Sequence, residues 1–128
     1  MKKITILIMF FLIGSTVFPQ TIKHTGAPLQ YDVVEVKPVF PGGISEFMRF
    51  VMKNYQVPED EEGGETGVLE VSIVIGIDGN LSQVDIVKEV GSAGKEVKRV
   101  LASCPKWTPG RQGGINVPVV YNFPITIK

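Results

Sequence analysis

Three features of the 128-residue chain predict an α+β fold, with two helices packed on one face of a three-stranded antiparallel sheet. Leu69, Val71, Ile73, Ile75 and Ile77 alternate with other residues and run into Asp78-Gly79, which marks a strand entering a hairpin. Two separate segments carry apolar residues at helical spacing, and a strand-like stretch interrupted by prolines closes the chain. The expected order is helix, strand, strand, helix, strand.

The first helix follows Pro41-Gly42-Gly43, with Ser45 as its expected N-cap. Ile44, Phe47, Met48 and Val51 fall at i, i+3, i+4 and i+7, and Phe50 widens that stripe. The helix should end near Asn54, because Pro58 excludes helical geometry at the residue before it. After the hairpin, a strand returns from Leu81 to about Val90, with Val84 and Ile86 on the core side. Gly91-Ser92-Ala93-Gly94 breaks it. Lys95 to Ser103 places Val97, Val100 and Leu101 at helical spacing and stops before Pro105. Residues 107 to 114 read as a loop. Ile115 to Ile127 returns to strand character, and Pro118 and Pro124 suit an edge rather than a sheet centre, because proline brings no amide to a ladder.

The N-terminus has a different character. Met1-Lys2-Lys3 precedes an apolar run from Ile4 to Ile13, and the chain then turns small and polar, the layout of a secretory signal peptide over residues 1–20. The apolar stretch is short for a spanning helix, which needs about 20 residues, so an uncleaved anchor is the lesser alternative. Residues 21–31 read as a flexible linker and 32–128 as the folded domain.

Thirteen basic and thirteen acidic residues give a formal charge of zero, which removes the basic field a nucleic-acid partner needs. Cleavage after residue 20 leaves 11 basic against 13 acidic groups. Cys104 is the only cysteine, so no internal disulfide is available and the core must hold the fold alone. Its thiol is expected to be buried; a nucleophilic role would call for a nearby base, and the single histidine is His24 in the linker. Residues 59–65, Glu-Asp-Glu-Glu-Gly-Gly-Glu, read as a solvated surface loop, with a docking patch for a basic partner as the alternative.

Catalytic patterns are missing from the sequence: there is no metal-ligand spacing, no phosphate loop and no nucleophile elbow. Asp85 and Glu89 on one strand would stand roughly 13 Å apart, too far for a glycosidase pair. The expectation is a protein that is not an enzyme, with no cofactor, no metal and no small-molecule substrate. What remains is the edge of the last strand, which can accept an extended peptide as an added strand or can simply be protected by its prolines.

Lys37-Pro38-Val39-Phe40-Pro41-Gly42-Gly43, Gly67-Val68-Leu69-Glu70-Val71, Ile77-Asp78-Gly79, Val84-Asp85-Ile86-Val87, Pro105-Lys106-Trp107-Thr108-Pro109-Gly110 and Tyr121-Asn122-Phe123-Pro124-Ile125 together resemble the TonB C-terminal domain family over about residues 33 to 127. The resemblance implies a two-helix, three-stranded fold and a periplasmic place in outer-membrane energy coupling. It further implies that the last strand pairs with an extended segment, the TonB box, of an outer-membrane receptor. Carried onto this chain, the partner-binding residues are Val119, Val120, Tyr121, Asn122, Phe123 and Ile125, and a proline at Tyr121 would be expected to take an amide from the docking ladder. The ten or so residues before Tyr31 span at most about 35 Å, short of the family's proline-rich spacer, so the expectation is a module that binds without transmitting force. The runner-up is a structural protein that contacts the cell wall or pairs with its own copy as a homodimer.

Overall fold

The computed structural model describes residues 27–58 and 65–128. The signal-like segment and most of the acidic loop, residues 59–64, lie outside the described residues. The elements are β1 (Leu29–Gln30), α1 (Ile44–Asn54), β2 (Gly67–Ile75), β3 (Leu81–Lys88), α2 (Ala93–Leu101), β4 (Gly110–Gln112), β5 (Ile115–Val117) and β6 (Val119–Ile127).

Alternation in β2 does what its sequence demands. Leu69, Val71, Ile73 and Ile75 are all buried against the helices, where they meet Phe47 and Val51 of α1, Val97 and Leu101 of α2, and Phe123 and Ile125 of β6. Both helices therefore share one face of the sheet. The opposite face carries Val68, Glu70, Ser72, Asn122 and Thr126 and is largely open. Phe40, Phe47 and Trp107 meet at ring-centroid distances of 4.9 to 5.5 Å, and Trp107 is 2% exposed, so the Pro-Lys-Trp-Thr-Pro-Gly string anchors the core.

The β2–β3 turn depends on Gly79, whose φ is 87°. A Cβ there would sit 1.9 Å from the Trp107 carbonyl oxygen, while the Trp107 N–H donates to the Gly79 carbonyl at 2.9 Å. Glycine at this position is thus what lets the turn dock on the segment carrying the buried indole.

Helix boundaries shift slightly from the sequence expectation. The Phe47 N–H donates to the Gly43 carbonyl, so α1 starts at Ile44 with Gly43, at φ 91°, in the N-cap position, and Ser45 already lies inside the helix. The permissive backbone of Gly42-Gly43 wins over the hydroxyl cap. At α2 the Glu89 carboxylate accepts from the Gly94 N–H at 2.7 Å, which ties the helix start to the end of β3 and gives Glu89 a structural role.

The sheet corrects the three-stranded antiparallel expectation. Strand order is β1-β6-β2-β3: β6, β2 and β3 are antiparallel as expected, and β1 adds a parallel fourth strand, making the sheet mixed. Residues 110–117 form a separate two-stranded hairpin, β4–β5, around Gly113 and Gly114, both at positive φ, and Pro118 separates it from β6. Leu29-Gln30 carries no periodicity of its own. Its strand geometry comes from pairing with Val119 and Val120, and Val34 fastens the segment in a small second core with Val117 and Val119.

Candidate functional site

β6 pairs with β2 along its whole length, from Gly67 opposite Ile127 to Ile75 opposite Val119, with no register shift. Among the described residues its other side is covered only at the start, where Leu29 lies opposite Val119 and Gln30 opposite Val120. The Leu29 N–H donates to the Pro118 carbonyl at 3.0 Å and the Tyr31 N–H to the Val120 carbonyl at 2.9 Å. The chain then turns away, as the Val33 N–H donates to the Gln30 carbonyl.

Those bonds fix the sense of the whole edge. Residues 118 and 120 turn their backbone groups outward, so by the two-residue period Asn122, Pro124 and Thr126 do the same, while Val119, Tyr121, Phe123, Ile125 and Ile127 face β2. Beyond β1 the edge thus presents the Asn122 and Thr126 amides and the Asn122, Pro124 and Thr126 carbonyls. Pro124 lacks an amide on this outward side, so the β2 ladder loses nothing and the edge is blunted at one position. At the opposite end of the sheet, β3 is interrupted by two register shifts against β2, between Glu70 and Val71 and between Val74 and Ile75. Irregularities of that kind disfavour pairing, which leaves the β6 edge as the regular one.

The six sequence-predicted residues separate by this alternation. The backbones of Val119 and Val120 sit opposite β1, and the side chains of Val119, Phe123 and Ile125 are buried in the core. Tyr121 is half-buried among Tyr31 at 4.6 Å, Phe123 at 5.5 Å and Trp107 at 6.4 Å between ring centroids. Asn122 alone of the six combines an exposed side chain with outward backbone groups beyond β1. A proline at Tyr121 therefore removes an amide from the internal ladder with Ile73, not from the free edge, which corrects the expected effect of that substitution. Sequence reasoning passed over Pro124 and Thr126. Their signal was available: Pro118 and Pro124 stand an even number of residues apart, on the side of the strand where an amide can be spared.

Surrounding chemistry is modest. Burial pushes the Tyr121 phenol above its usual pKa, with Tyr31 and Asp32 acting in the same direction. Cys104 is half-buried, and that burial raises its thiol pKa despite an opposing contribution from the Trp107 indole N–H. Apart from that weak contact with the thiol, the buried indole nitrogen has no hydrogen-bond partner among the described residues. Across the open face, Glu70, Val87, Asn122 and Pro124 help line a shallow depression of about 350 Å³. Among the described residues no group of three or more His, Cys, Asp or Glu side chains is placed to hold a metal ion, and no helix is long and apolar enough to cross a membrane.

Comparison with protein families matches residues 58–127 to the C-terminal region of Gram-negative bacterial TonB proteins. Neither a curated protein nor a solved structure matches the chain.

Proposed function

Since the chain belongs to the family of Gram-negative bacterial TonB C-terminal domains, a family of protein-interaction domains associated with TonB-dependent transport, we propose that it is a periplasmic module that binds an extended, TonB-box-like segment of an outer-membrane receptor by adding it as a strand to β6. The observation that carries this reading is the regular, unpaired stretch of β6 from Asn122 to Thr126. Ladder hydrogen bonds from that stretch supply affinity without any particular receptor side chain. The rigid three-stranded sheet behind it means little backbone ordering is needed on the domain's side. No catalytic step is part of this function.

The test is retention of envelope proteins on the immobilised chain, wild type against Asn122→Pro, with bound proteins identified by mass spectrometry. An outer-membrane receptor held by wild type and lost with Asn122→Pro is the expected result. A receptor held equally by both places the contact elsewhere, and recovery of only the chain itself replaces receptor binding with self-pairing through the same edge.

A further inference from the structure

The free edge of β6 is bounded on the helix side by features that select side chains. In the parallel register of β1, Tyr31 is the next residue after Gln30 and stands beside Tyr121, the two rings tilted at 42° with centroids 4.6 Å apart. Lys37 Nζ lies 5.3 Å over the same ring, and Val34 fixes the following turn in the second core. The helix-side position next to Tyr121 is thus filled by this chain's own Tyr31. The positions next to Phe123, Ile125 and Ile127 are not covered by β1.

α1 packs on the same face of the sheet as the side chains of Phe123, Ile125 and Ile127. Phe47 and Val51 point into the core, and on one flank Arg49, Phe50 and Lys53 line a depression with Pro41 and Pro105. At 100° per residue, positions 44, 48 and 52 lie on the other flank. Ile44 and Tyr31 together line a cleft of about 190 Å³ with Lys37 and Phe40, which places the Ile44 end of this flank beside Tyr31, the residue that follows β1. Ile44 and Met48 are partly buried against the core, and Met52 is 46% exposed, so the flank is an apolar shelf.

A strand laid on β6 sends alternate side chains to opposite faces. Those beside Phe123, Ile125 and Ile127 meet the shelf, whereas those beside Asn122, Pro124 and Thr126 meet the open polar face. We propose that the added strand is selected on one face only: it carries apolar side chains at every second position, seated between Tyr31 and the Ile44–Met48 flank of α1, and Tyr31 ends the docking edge. This rests on the strand-addition reading above.

Two fluorescein-labelled heptapeptides of equal composition test it with the full chain: Thr-Val-Thr-Val-Thr-Val-Thr, and a blocked order with the three Val first. By fluorescence anisotropy the alternating peptide should bind about tenfold more tightly, and Met48→Lys should weaken it about tenfold. Met52→Lys, at a more exposed position on the same flank, keeps the test valid if Met48→Lys lowers the melting temperature. Equal affinity for both peptides, or lysine variants that bind as wild type while Asn122→Pro does not, overturns side-chain selection and leaves strand addition standing. Unchanged binding by Asn122→Pro, or no saturable binding of either peptide, overturns strand addition and this selection with it.

Discussion

Proline substitutions at Tyr121 and Asn122, one residue apart, should differ by several kcal/mol in their effect on stability. Tyr121 turns its amide toward Ile73, a residue with no exposed surface, so losing that donor costs about 1–3 kcal/mol. The same substitution removes the ring from its contacts with Tyr31, Phe123 and Trp107, each worth about 0.5–1.5 kcal/mol beyond area burial. Together these reach about 2.5–7.5 kcal/mol, comparable with the whole stability of a small domain at about 5–15 kcal/mol.

Asn122→Pro removes an outward amide that no strand uses, and it requires only that Tyr121 stay extended, which it already is. Its cost should stay within about 1 kcal/mol. At about 4–8 °C per kcal/mol, the Asn122 variant should melt within about 8 °C of wild type and the Tyr121 variant at least about 10 °C below it, or not fold. Urea unfolding followed by the fluorescence of the single tryptophan, Trp107, measures both. Equal losses, or a larger loss for Asn122→Pro, would refute the assignment of inward and outward backbone groups on β6.

Trp107→Ala should cost about 3–5 kcal/mol, because it empties the site where the indole packs on Phe40 and Phe47, and the same urea titration reads it; a change below about 1 kcal/mol would mean the indole is not a core element. Alkaline pH should weaken the fold through Tyr121. Its phenol is held above the ordinary value of 10.0 by burial, so the folded state favours the neutral form; that contribution is complete below about pH 10 and is lost as pH rises through the raised value. Melting temperature between pH 8 and 11.5 should fall less for Tyr121→Phe than for wild type, and parallel curves would remove Tyr121 from the account.

The two helices, the central hairpin and the buried face of β2 were readable because each rests on local rules. Leu69 to Ile75 alternate, Phe47 and Val51 recur at helical spacing, and Asp78-Gly79 supplies the turn, so the residues themselves state which side is wet. The family resemblance was equally local, carried by the Phe-Pro-Gly-Gly and Pro-Lys-Trp-Thr-Pro-Gly strings, and the family match over residues 58–127 takes in the second of them. The start of α1 was misplaced by two positions because Ser45 is a good cap by type, whereas the backbone freedom of Gly43 decided the geometry.

The site was only half readable. Period two assigns the side chains of Tyr121 and Phe123 to one face and Asn122 to the other, but it does not say toward which neighbour each residue turns its N–H and C=O. That depends on which strand lies on which side. The sequence by itself determined the two helices, the β2–β3 hairpin, the final strand, the core face and the family, since each follows from interactions within a few residues. Only the tertiary structure decided that β1 caps Val119 and Val120, that Asn122, Pro124 and Thr126 face outward, and that Tyr31 packs against Tyr121 where the edge begins. These features arise from pairings between segments some 90 residues apart, for which a two-residue strand such as Leu29-Gln30 leaves no periodic trace.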